Sequence, residues 1–105
     1  HFHRIVSDET WFFHSGEALE ILMIEGRELR SVLLGNNLSK GEMLHFTVPA
    51  RTWFAASIKS GTGYSLVSCT VAPGFDFADF ELAERAKLSN EFSELKNVIR
   101  EFTTD

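Results

Sequence analysis

Only one cysteine, Cys69, occurs in the 105 residues, so no internal disulfide can brace the fold. It stands in the apolar run "YSLVSCTV" and reads as a buried small hydrophobe rather than a nucleophile. Basic charge is also scarce. Ten Lys and Arg stand against fifteen Asp and Glu, a net charge of -5, which argues against a nucleic-acid backbone or an anionic membrane as partner. No apolar run approaches the ~20 residues of a membrane span, and no basic segment precedes a hydrophobic signal core. The expected compartment is therefore the cytoplasm. There is no internal repeat and no low-complexity tract. What is abundant is apolar bulk: hydrophobic residues make up 44% of the chain, and 10 of them are Phe. A chain this short is one domain and must bury most of that surface to be stable.

The first eighty residues are written in the period of strands. "TWFFH", "ALEILMIEG", "RELRSVLLG", "MLHFTVPA", "TWFAASI" and "GYSLVSCTVA" are short and rich in β-branched and aromatic residues. A tight hairpin turn is expected around Glu25-Gly26, and "GNNLSKGE" and "KSGTG" read as polar loops. Strands at this spacing, with no helices between them, predict an antiparallel sandwich or barrel. The period changes after Phe80. In "SNEFSELKNVIREFTTD", Phe92, Leu95, Val98, Ile99 and Phe102 recur at helical spacing, which predicts an amphipathic helix over residues 93–102 with Ser93 as N-cap. The aromatic load exceeds what a small barrel interior hides comfortably, so a homodimer is expected.

Three blocks, "FHRIVSDETWFFHSG", "VPARTWFAA" and "LVSCTVAPGFDFADFEL", occur in this order and resemble the Cupin_5 (DUF985) family of the cupin superfamily. The resemblance covers essentially the whole chain and is most specific in "TVAPGFDFADFEL". It implies an all-β, RmlC-like fold, a double-stranded β-helix or jelly-roll barrel with a pocket inside, to which the periodicity adds the short C-terminal helix. It also implies pairing as dimers. Members of the family carry two more strands before the His-containing stretch, so residues 1–105 are expected to form a single cupin domain lacking them.

The cupin pattern places two His one residue apart, then a Glu, then a Gly, with a third His on a later strand. Imidazole nitrogens and a carboxylate converging from neighbouring strands hold Zn, Ni, Mn or Fe and leave positions open for substrate. His1 and His3 fit the first pair, and Glu9 and Gly16 keep the six-residue gap, although His3 and Glu9 are one residue further apart than usual. The second half departs more. Arg51 replaces the glycine that follows Pro49, and Phe54 stands where the third His is expected. His45, on "MLHFTV", is the remaining nitrogen donor, so a metal set would comprise His3, Glu9 and His45. Without a metal, His3 and Glu9 would form an imidazole–carboxylate pair able to move a proton near neutral pH, or one that merely anchors two strands.

Strand alternation puts Glu9, Trp11 and Phe13 on one face, and Phe12 and His14 on the other. Turned inward, Glu9, Trp11 and Phe13 line a ligand pocket with His3. Trp53 or Phe54 contributes from another strand, Trp53 being the candidate taken. Asp76 and Asp79 in "APGFDFADF" close the pocket mouth, bind a partner's basic residues, or face water. Three readings follow: a small-molecule-binding cupin, with a nucleotide-linked sugar among the ligands implied; a metal-dependent or His-based enzyme of the epimerase, isomerase or oxygenase type, with His3 and Glu9 as the catalytic candidates; and a structural dimerisation module with a vestigial pocket.

Overall fold

The computed structural model describes residues 2–72, 81–82 and Ile99. The strands are β1 (His3–Arg4), β2 (Asp8–Gly16), β3 (Leu19–Glu25), β4 (Glu28–Leu34), β5 (His45–Val48), β6 (Trp53–Ile58), β7 (Ser65–Ala72) and β8 (Glu81–Leu82), with one 3-10 turn at Leu38–Lys40. They form a five-stranded sheet in the order β4-β3-β6-β1-β8 and a three-stranded sheet in the order β5-β2-β7. Every pairing between these strands is antiparallel. The chain crosses repeatedly from one sheet to the other, as a jelly roll does. The six strand segments read from the sequence all appear as strands. β1 and β8 do not come from that reading, because two residues carry no periodicity.

The hairpin between β3 and β4 closes at Glu25↔Glu28, leaving Gly26 and Arg27 as its two-residue turn. Gly26 sits at φ 62°, the left-handed value that a type II′ turn reserves for its first central residue. "ILMI" in β3 is buried at all four positions because the larger sheet is covered on both faces. Ile21 and Met23 pack inward with Val32 and Phe54 against Trp11, Phe46 and Val48 of the smaller sheet. Leu22 and Ile24 point the other way and pack with Phe2, Trp53, Ala55 and Ile99. Ile99 is helical and fully buried in that outer layer. The rest of the helix expected over 93–102, and the "APGFDFADF" block with Asp76 and Asp79, lie outside the described residues.

The smaller sheet alternates instead. Phe13, Phe46 and Val48 turn inward, whereas Thr10 and Thr47 share a hydroxyl–hydroxyl hydrogen bond of 2.8 Å on the outer face. Its register shifts between Phe13 and Ser15, a bulge that lets His14 reach Ser68 Oγ at 2.8 Å on the same outer side.

Two turns are knitted together at one end of the sandwich. The Ala50 N–H donates to Asp8 Oδ1 at 2.8 Å, and the Arg51 N–H donates to the Ile5 carbonyl at 2.7 Å. The second bond holds Arg51 at φ 61°, where an L-residue costs about 1–2 kcal/mol relative to its ordinary conformations. Arg51 is the position at which the cupin pattern has glycine, and the backbone keeps the glycine conformation without the glycine. This junction fixes the link from β1 to β2 and the link that leads into β6, and so bears on where His3, Glu9 and Phe54 stand in the interior.

Candidate functional site

The interior between the sheets is layered. Nearest the knitted turns, His3 of β1 pairs in register with Phe54 of β6, which pairs with Met23 of β3. Across from them Glu9 of β2 lies between Val48 and Val71. One layer further in, Trp11 lies between Phe46 and Cys69. Beyond it Phe13, Leu19 and Leu34 close the interior as a tight apolar plug. The candidate site is thus an aromatic layer between the sheets with its polar groups at one end.

The contacts run as a chain. The His3 ring lies 4.3 Å from the Phe54 ring, centroid to centroid, and Phe54 meets Trp11 edge-on at 6.1 Å. Burial lowers the His3 pKa from its ordinary value of 6.5, so the ring is neutral at physiological pH. Burial raises the Glu9 carboxyl above its ordinary 4.5, while the Trp11 indole N–H directed at it acts the other way. Among the described residues Glu9 has no ion pair. The Trp11 indole nitrogen is itself buried with no hydrogen-bond partner, so its proximity to Glu9 falls short of a formed bond.

Trp53 and His45 are not brought to this inner layer. The register that turns Phe54 inward turns Trp53 outward, where the Arg4 guanidinium lies over its ring at 4.4 Å. The inward aromatic of "TWFAASI" is therefore Phe54, and Trp53 belongs to the outer layer. His45 pairs with Phe12 on the outer face of the smaller sheet and stacks on it at 6.2 Å. The sheet itself separates His45 from Glu9. Cys69 also departs from expectation: it is exposed rather than buried. It does sit on the inner face in register with Trp11, but β7 pairs on one side only among the described residues, so that part of the interior stands open. Partial desolvation of the thiol against the inner face, then the charge of Glu9, pushes it up to about 11, which keeps it protonated and a poor nucleophile.

Among the described residues the donor set for a metal does not fit. Phe54 fills the position of the third imidazole and packs on His3, His45 is on the far side of a sheet, and His1 lies outside the described residues. Among the described residues no three His, Cys, Asp or Glu side chains gather to hold a metal ion. No helix there is long and apolar enough to cross a membrane.

The unpaired Glu9 has a measurable consequence. Its raised pKa means that the folded chain binds this proton more tightly than the unfolded chain does. Ionising Glu9 therefore costs stability above its folded pKa and costs nothing below the unfolded value of 4.5. Glu9→Gln is expected to be more stable than the parent at pH 7, by less than about 1 kcal/mol because solvent screens a half-buried carboxylate. The gain should vanish at pH 4. Urea melts at the two pH values decide it, and a Glu9→Gln chain less stable at pH 7 would show that the carboxylate has a stabilising partner.

Comparison with known proteins agrees with this architecture. The family model described as "Cupin superfamily (DUF985)" matches residues 1–83. A hypothetical protein from Leishmania major superposes with a TM-score of 0.93 at 36% identity, covering 100% of this chain and 69% of its own. A protein from Shewanella oneidensis superposes with a TM-score of 0.92 at 40% identity, covering 99% of this chain and 66% of its own. This chain thus spans only about two thirds of these solved relatives. No curated protein matches it. With the family model spanning most of its length and both relatives carrying the same two-sheet fold, the chain belongs to the Cupin_5 (DUF985) family of the cupin superfamily.

Proposed function

We propose that this cupin binds a small organic molecule between its two sheets, with His3 and Glu9 at the polar end and Trp11 and Phe13 along the wall. The carrying observation is Glu9: a half-buried carboxylate on an aromatic inner face, with no cation beside it among the described residues. Such a group costs folding free energy, and a core has no use for it. A ligand that meets it offsets the cost. Native mass spectrometry of gently purified protein tests the reading. The parent and His45→Ala, altered on the outer face, should retain the same small molecule. Glu9→Gln should lose it while remaining folded. Equal retention by Glu9→Gln would refute the assignment.

A second reading, a homodimerisation module, is favoured by the outer face of the smaller sheet. Phe12 and Leu66, 37% and 56% exposed, lie there among the hydroxyls of Thr10, Thr47, Ser68 and Thr70. The stripe carries no formal charge, so two copies of a chain with net charge -5 meet there without like-charge repulsion. Sedimentation at micromolar concentration should show a dimer that Leu66→Asp dissociates. A monomeric parent removes this reading and leaves the first untouched.

A further inference from the structure

We infer that the free edge of β7 is a joint through which two copies of this chain pair, antiparallel and centred on Cys69. Among the described residues the two sheets end in four edge strands, and three of them are defended against chance pairing. β8 has two residues and β5 has four, while β4 carries Glu28 and Arg30. β7 is eight residues long, and "SLVSCTVA" holds no charge, no proline and no glycine. The extra residue in its ladder belongs to β2, so no bulge of its own turns β7 away from a partner. A long, uncharged strand rich in β-branched residues is the kind of edge that proteins otherwise shorten, charge or cover.

The hydrogen-bond phase of the sheet fixes what this edge offers. The Phe13 N–H donates to the Leu44 carbonyl at 2.8 Å, so the backbone groups of Phe13 face β5. Val67 stands opposite Phe13, and by the alternation of an antiparallel ladder it turns its own N–H and C=O away from β2. Cys69 and Val71 follow at the same phase. The register that engages all three with a second β7 pairs Cys69 with its own copy and Val67 with Val71. Each such pair exchanges two bonds, about six in all. The same register sets the side chains. Ser68 meets Thr70 on the outer face, and the exposed Leu66 meets the small Ala72. Val67 meets Val71 on the inner face. Hydroxyl meets hydroxyl and apolar meets apolar, with no charge on either side. That self-complementarity selects a second copy as the occupant, since a two-fold joint brings one patch against itself. Two chains of net charge -5 repel at long range, and an uncharged edge is where they approach at least cost. Stacking the outer faces of two smaller sheets would leave this edge open, so the joint is a separate interface.

Sedimentation of the full chain, joined to hydrogen exchange read residue by residue with mass spectrometry, tests the joint. The parent should sediment as a dimer at micromolar concentration. In that dimer the amides of Val67, Cys69 and Val71 should exchange about tenfold or more slowly than in the monomer, reached by dilution or in Cys69→Pro. The amides of Ser68 and Thr70, which bond to β2, should be protected in both. Cys69→Pro removes a donor that points to the edge and leaves the β2 ladder whole, so it should be a folded monomer. If that variant does not fold, the exchange pattern of the parent decides alone. A monomeric parent overturns the joint, and so does a folded Cys69→Pro chain that still dimerises. A dimer whose three edge amides exchange freely also overturns it, and leaves a face-to-face contact standing. Protection of those amides that survives in the monomer overturns it as well, because the chain's own residues then cover the edge.

Discussion

Replacing Phe54 by Ala is expected to lower stability by about 3–5 kcal/mol, the range for truncating a fully enclosed aromatic. Phe54 is 1% exposed and joins Ile21, Met23 and Val32 of its own sheet to Val48, Trp11 and Phe46 of the other. Its loss therefore removes contacts between the sheets as well as within one. A domain of this size is stable by about 5–15 kcal/mol in all, so the variant should be near the edge of folding at room temperature. The neighbouring position supplies the control. Trp53 is almost as buried, but packs in the outer layer. The two truncations should differ in their effect on His3. Without the Phe54 ring 4.3 Å away, water reaches the imidazole and its lowered pKa should return towards 6.5, whereas Trp53→Ala should leave it low. Chemical denaturation gives the stability and NMR titration of His3 gives the pKa. An unmoved His3 in a folded Phe54→Ala chain would show that the desolvation comes from elsewhere.

How far the sequence reveals this arrangement depends on whether a strand has one wet face or none. β2 and β5 belong to a sheet with one face in solvent, and their alternation is readable. In "HFTV" the apolar Phe46 and Val48 alternate with His45 and Thr47, and that pattern already places His45 outside. The motif spacing draws attention to the nitrogen donor and away from the parity. β3 and β6 are covered on both faces, so "ILMI" and "WFAA" carry no contrast between inside and outside. Only the register, with Phe54 opposite His3 and Met23, settles which of two adjacent aromatics turns inward. Cys69 shows a third case. The run "VSCTV" suggests burial, but the exposure of Cys69 goes with β7 pairing on one side only among the described residues, which no local pattern encodes. The position of the Trp11 indole nitrogen relative to Glu9 is further still from the sequence. It depends on the separation of two side chains on one strand, which spacing of residues does not determine. The aromatic load has a simpler account. Of the described Phe residues, Phe2, Phe13 and Phe54 are buried, Phe46 is partly so, and only Phe12 is exposed. Among these five, only Phe12 is left for a partner or solvent to cover.

Gly16→Ala is expected to cost roughly 2–4 kcal/mol, through two effects that can be measured apart. Gly16 ends β2 at φ 97°, a conformation that L-residues rarely adopt. It also lies under Tyr64: an added Cβ would collide with the Tyr64 carbonyl oxygen and come within 2.9 Å of two ring carbons. The same carbonyl accepts a hydrogen bond from the Glu17 N–H at 2.6 Å, so it cannot retreat without breaking the tie between the ends of β2 and β7. Gly26 separates the two effects. It has φ 62°, but a methyl group placed there would meet nothing within 4 Å, so Gly26→Ala should cost only about 1 kcal/mol, the backbone part alone. Removing the Tyr64 ring should rescue Gly16→Ala only in part, because the ring overlap is relieved and the backbone overlap remains. The prediction is then an ordering under urea denaturation: Gly16→Ala least stable, Gly16→Ala with Tyr64→Ala recovering part of its own deficit relative to Tyr64→Ala alone, and Gly26→Ala close to the parent. If the two glycine variants proved equally destabilised, the close approach of Tyr64 would not be present in solution. The motif glycine would then serve the turn and nothing more. If the ordering holds, the glycine that follows Glu9 by seven positions must stay small because the start of β7 is laid over it, and the tie between the ends of β2 and β7 is built on that contact.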